Sequence, residues 1–163
     1  PLVNRAQLDR VETAVKQAIK NGAQLVLGGE REKSASGYYY QPTVLTNCRQ
    51  DTDIMRKEIF GPVLPIATFT DLDEAIDLAN DCDYGLTSSI FTKNLDAAMR
   101  ASNELKFGET YINREHFEAM QGFHAGWRKS GIGRADGKHG LEEFLQTHAV
   151  YMNYDPKYKA STT

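Results

Sequence analysis

Cysteine is scarce in this sequence: Cys48 and Cys82 are the two thiols in 163 residues. Two cysteines in polar, acidic stretches build neither a disulfide framework nor a zinc site. Asp81 and Asp83 flank Cys82 with negative charge, which opposes the thiolate a nucleophile needs. Both read as reduced thiols. An excess of base is lacking too, since 19 Lys plus Arg face 22 Asp plus Glu for a net charge of -3. That balance speaks against nucleic acid, whose phosphates demand a basic face. No apolar run approaches the roughly 18 residues of a membrane span, and no signal-peptide pattern opens the chain. The first residue is Pro1 rather than Met, so the expectation is a cytoplasmic protein represented by a portion of something longer.

What is present suits a globular core, with 40% hydrophobic and 25% charged residues. Leu8, Val11, Val15, Ala18 and Ile19 recur at helical spacing, which predicts an amphipathic helix from Arg5 to Lys20 closed by Asn21-Gly22. Gln24 to Leu27 reads as a strand ended by Gly28-Gly29, and Tyr38 to Leu45 as another, edge or irregular because of Pro42. From Phe60 the pattern is regular. Val63 to Thr68 is a strand; Asp71 and Glu74 make a capping box for a helix from Leu72 to Asn80. Thr87 to Phe91 is a strand, Asn94 caps a helix to about Glu104, and Thr110 to Ile112 is a strand. This alternation argues an α/β fold with a mostly parallel sheet from successive βαβ units. Leu141 to Leu145 reads as a helical turn. Thr147 to Tyr154 alternates like a strand that could pair with another chain, followed by a polar tail over 155–163.

Between the last parallel strand and that turn lies Asn113 to Gly140, long, rich in glycine and with little periodicity. Ligands in open α/β sheets gather beyond the C-terminal strand ends, so the segment leaving Ile112 is the place to seek a site. The string GIGRADGKHG there imitates a phosphate loop but lacks its first glycine and its hydroxyl residue. His116, His124, His139 and His148 show no i, i+4 pair of the kind that holds zinc on a helix, so no metal is expected. The segment KEIFGPVLP differs. Gly61 permits close backbone approach and Pro62 restricts φ, so Glu58 and Phe60 are presented rigidly at a strand entry.

The string EIFGPVLP resembles a hallmark of the aldehyde dehydrogenase superfamily. DLDEAIDLANDCDYGLTSSIFT, FGETYIN, WRKSGIGRADGKHGLEEF and PLVNRAQLDRV resemble further segments in the order the family's C-terminal, catalytic-domain portion has them. The likeness covers about Pro1 to Asn153. REHFEAMQGFHAGWRKSG is most similar to the branch of bacterial lactaldehyde and glycolaldehyde dehydrogenases. The resemblance divides the chain into a catalytic-domain portion over 1–146, an oligomerisation strand over 147–154 and the tail.

It also implies a chemistry. A cysteine thiolate attacks the aldehyde, NAD takes hydride, and water activated by a glutamate releases the carboxylic acid. In the family these groups precede the segment found here, so the resemblance implies that this chain alone is inactive. By the same likeness, Glu58 corresponds to the carboxylate on the nicotinamide ribose hydroxyls, and Phe60 to the aromatic packed beside them. Gln7 and Arg10 match positions reaching that ribose from the opening helix, NADP remaining open in place of NAD. Phe117, Glu118 and His124 fall where relatives line the substrate tunnel. A carboxylate and an imidazole in place of aromatic residues suit a small polar aldehyde. The terminal strand implies a homodimer or homotetramer. A different reading is a stand-alone, non-catalytic module that keeps the fold as a binding or assembly surface.

Overall fold

The computed structural model describes residues 1–32, 36–133 and 135–157. Helix α1 spans Arg5–Lys20, as its periodicity predicts. Asn4 caps it, its side-chain oxygen accepting from the Gln7 amide at 2.9 Å, which satisfies one of the free N–H groups of the first turn. Leu8, Val11, Val15 and Ala18 form its buried stripe. The helix ends where Gly22 takes φ +101°, a backbone conformation that side chains disfavour.

Strand β1 (Gln24–Leu27) runs antiparallel to β2 (Thr43–Thr46), and β2 runs parallel to β3 (Val63–Pro65). This corrects two expectations. β2 begins only after Pro42, which has no N–H to give to a ladder, and upstream Tyr40 makes an isolated bridge to Arg31 instead. β2 is also the central strand of its sheet and not an edge, because β3 arrives from later in the chain to cover its second side. β3 stops at Pro65, short of Thr68. The four-residue helix α2 (Asp53–Arg56) carries no amphipathic signature of its own and escaped the sequence reading. It packs on α1, so that Ile54 joins Leu8, Val11, Val15, Tyr40, Leu45 and Cys48 in one apolar core.

Helix α3 (Leu72–Asn80) opens on the expected capping box. The Asp71 carboxylate accepts from the Glu74 amide at 2.9 Å, and the Glu74 carboxylate accepts from the Thr70 amide at 2.6 Å. β4 (Thr87–Ile90), α4 (Leu95–Glu104) and β5 (Glu109–Ile112) form a βαβ unit with parallel strands. The fold is α/β with parallel portions, but β3 stays with β2 while β4 and β5 make a separate two-stranded sheet. One βαβ unit closes here, where two in succession were expected.

Beyond β5 the chain is less bare than its sequence suggests. His124 and Ala135 exchange both backbone hydrogen bonds, at 3.1 and 2.8 Å. A 3-10 turn spans Arg128–Ser130 and helix α5 spans Gly137–Glu143, four residues before the expected start. Gly137 takes φ +54° and gives its amide to the Met120 carbonyl at 2.9 Å. A Cβ there would lie 2.5 Å from the Gln121 carbonyl oxygen, so glycine serves close packing rather than phosphate. Residues 147–154 form no strand within their own chain. Most of the expected polar tail lies outside the described residues.

Candidate functional site

Two places carry the residues singled out in the sequence. The first is the turn between α2 and β3. Phe60 adopts φ +51° with its ring 70% exposed, a conformation that costs a bulky residue of the order of 1 kcal/mol or more. Helix α1 holds it there. The Gln7 side-chain amide donates to the carbonyls of Ile59 (2.7 Å) and Phe60 (3.0 Å), and Arg10 donates to the Glu58 carbonyl at 2.6 Å. Gly61 lets the turn lie on the helix, since a Cβ would stand 2.6 Å from a Val11 methyl. Gln7 and Arg10 are thus struts that fix the backbone of residues 58–60. The Glu58 carboxylate and the Phe60 ring are left facing outward, a pair able to accept from hydroxyl donors and to cover a flat ring.

The second place lies along β5 and the loop that leaves it. A cleft of about 280 Å³ is lined by Glu109, Tyr111, Arg114, Phe117, Glu118 and Phe123 among others. Phe117 and Glu118 stand on its wall. His124 is not among its lining residues but adjoins it through Glu109: its side chain is partly exposed and its Nδ1 lies 2.5 Å from the Glu109 carboxylate. The other carboxylate oxygen accepts from the Tyr111 hydroxyl. That bond, with burial adding to it, pushes the Tyr111 phenol up to about 12, because a phenolate would face a carboxylate. The ring of His116 stacks on Tyr111 with centroids 5.1 Å apart, and its Nδ1 is 2.9 Å from the Thr87 hydroxyl. The Arg114 guanidinium lies over the Tyr111 ring, 5.7 Å from its centroid.

Sequence reasoning passed over Glu109 and Tyr111. The signal available was alternation: Glu109 and Tyr111 are two apart on one strand and therefore share a face, and a carboxylate on a strand of a parallel pair is out of place unless partnered. Arg128 was also missed. Its guanidinium donates to the carbonyls of Asn80 (2.7 Å), Cys82 (2.5 Å) and Lys106 (2.7 Å) and lies over the Phe107 ring. The Ser130 hydroxyl accepts from the Gly85 amide at 2.9 Å. Trp127–Ser130 thereby ties the loop after β5 to the turn before β4. Asn113, at φ +54°, exchanges two 2.8 Å bonds with the backbone of Thr92 and locks the ends of β4 and β5 together. Cys48 sits in the apolar core and the Cys82 thiol is directed at the Tyr84 carbonyl. Neither lines the cleft.

Residues 1–150 match the aldehyde dehydrogenase family. The lactaldehyde dehydrogenase of Escherichia coli K12 is 62% identical over 93% of this chain. The crystal structure of E. coli lactaldehyde dehydrogenase superposes with a TM-score of 0.90, over 93% of this chain and 32% of the other. A 3,6-anhydro-L-galactose dehydrogenase in complex with NAP superposes at 0.90 with 43% identity, over 94% of this chain and 33% of the other. Betaine aldehyde dehydrogenase of Staphylococcus aureus in complex with NAD+ does so at 0.85 with 38% identity, over 90% of this chain and 30% of the other. The chain spans about a third of the length of the relatives it matches.

Proposed function

The chain belongs to the aldehyde dehydrogenase family, and on that premise we propose that it is the part of an aldehyde-oxidising enzyme that holds the nicotinamide ribose and walls the substrate site. The substrate is a small polar aldehyde of the lactaldehyde or glycolaldehyde type. The observation that carries this reading is the polar lining of the cleft, where Glu109 and Glu118 stand among aromatic rings and Glu109 is bonded to His124. Buried polar groups favour a substrate that can pair with them and penalise one that leaves them unpaired. A hydroxyl next to the aldehyde carbon supplies that partner; a long alkyl chain does not.

NAD or NADP, when bound, supplies the hydride acceptor of the reaction. This chain's contribution to holding it is the turn around Phe60. Glu58 accepts hydrogen bonds from the ribose hydroxyls, the natural task of a carboxylate beside a sugar, and Phe60 covers the adjoining ring. Gln7 and Arg10 act on that ribose through the backbone they fix. Neither Cys48 nor Cys82 serves as the nucleophile, so the 163 residues alone do not turn over. Residues 147–154, unpaired within their chain, join a neighbouring copy of the enzyme as a homodimer or homotetramer.

The test is His124→Phe in the full-length enzyme, with kcat/KM measured for lactaldehyde and for a six-carbon unbranched aldehyde. The ratio should fall about tenfold or more toward the apolar substrate, the value of one lost hydrogen bond of about 1.4 kcal/mol. An unchanged ratio sinks the substrate assignment. Turnover by the isolated chain would overturn the claim that it carries no nucleophile.

A further inference from the structure

Glu109 is the largely buried carboxylate of the cleft, a residue that touches both a tyrosine and a histidine. Its side chain is 10% exposed, so it lies in surroundings where a lone carboxylate is costly. Both its oxygens are engaged: one with the Tyr111 hydroxyl, the other with His124 Nδ1 at 2.5 Å. An ionised carboxylate only accepts, so both partners must donate. The proton on the imidazole then resides on Nδ1, whatever happens at Nε2.

We propose that Glu109 is a positioning residue that fixes His124 in the Nδ1–H tautomer, leaving Nε2 as the acceptor for a substrate hydroxyl. Among the described residues Nε2 has no hydrogen-bond partner, and the side chain is 31% exposed, so that lone pair is open to solvent or to a ligand. The carboxylate is itself held. Tyr111 fixes its second oxygen, and Tyr111 is braced by the stacked ring of His116 and by Arg114. The backbone bridge to Ala135 fixes the main chain that carries the imidazole. Two strand residues two apart thus orient a loop residue fifteen positions later. Free imidazole in water prefers its proton on the other nitrogen, where Nε2 would meet a hydroxyl as a donor. The tautomer therefore decides the direction of that bond, a hydroxyl donating to a bare Nε2 but accepting from Nε2–H, and with it the orientation in which the hydroxyl is held. This inference rests on the substrate reading above, and the experiment separates the two.

Full-length enzyme labelled with 15N histidine is examined by two-bond 1H–15N correlation at a pH where the rings are neutral. For His124, a protonated Nδ1 and a bare Nε2 are expected; a protonated Nε2 overturns the proposal without reference to any variant. Glu109→Leu should move His124 toward the Nε2–H form and reduce the kcat/KM ratio of lactaldehyde to propionaldehyde about tenfold, mainly through KM. Glu109→Gln, which can still accept from Nδ1–H and donate to Tyr111, should restore most of that ratio. An unchanged ratio in Glu109→Leu overturns the proposal, as does a Gln variant no better than the Leu variant. A wild-type enzyme indifferent to the hydroxyl would sink the substrate reading instead, and the tautomer would still report on Glu109.

Discussion

The two candidate sites are held by different physics. The turn around Phe60 rests on an apolar core: Val11, Val15 and Leu45 are fully buried, and α1 carries both that core and the struts Gln7 and Arg10. The cleft along β5 has little such support. The buried apolar residues there are Ile76, Ala98, Ala101, Tyr111 and Ala125, mostly small. Shape is kept by polar ties, namely Arg128 on three carbonyls, Asn113 on Thr92, and Glu109 between Tyr111 and His124. Apolar burial is non-directional and tolerates small shifts of partner. A hydrogen-bond network fixes angles as well as distances and fails when one member is displaced. In the proposed function, a turn that covers a ribose needs a platform, and a wall that discriminates hydroxyl from methyl needs directed donors and acceptors.

Breaking each region by its own means sharpens the contrast. Leu45→Ala should be the most destabilising single change, by about 2–5 kcal/mol in denaturant unfolding, since a fully buried side chain leaves a cavity. Gly108→Ala comes next, at about 1–3 kcal/mol of overpacking. A Cβ there would stand 1.6 Å from the Ala125 carbonyl oxygen, so the loop must retreat and carry His124 away from Glu109. Activity on hydroxyaldehydes should fall more than stability does. Gln7→Ala should cost about 1 kcal/mol of stability or less yet raise the KM for NAD, because the strained Phe60 backbone loses two donors. A KM equal to wild type would show that the turn is held by packing alone.

The smallest effect concerns pH. Tyr111 is raised in the folded protein to about 12, above the ordinary tyrosine value near 10. The folded state therefore keeps that proton more tightly than the unfolded one. The contribution is complete below pH 10 and disappears as pH climbs through 12. Tyr111→Phe should flatten that part of the stability profile; an identical profile would mean that the Glu109 contact contributes nothing there.

Local signals were read well where the physics is local. The limits of α1, β1 and α3 follow from periodicity and caps, since Asn4, Gly22 and Asp71 act within a turn of their own helices. The central place of β2, the division into two sheets and the short helix α2 depend on which distant segments arrive beside them. Of the site, Glu58, Phe60, Phe117 and Glu118 were visible as motif residues. Glu109 was not, because its partners are one strand residue and a histidine fifteen positions away. Gln7 and Arg10 were visible as polar residues on one helix face, but their hold on a backbone 48 to 53 residues away was hidden.

By itself the sequence determined the family, the α/β class and the helices with their caps, because motif order, periodicity and capping chemistry operate along the chain. Tertiary structure alone decided that Phe60 is held out in a left-handed conformation, that His124 pairs with Glu109, and that Arg128 joins two loops. Those contacts exist only when folding has brought distant donors within about 3 Å of their acceptors, and no spacing along the sequence records that approach.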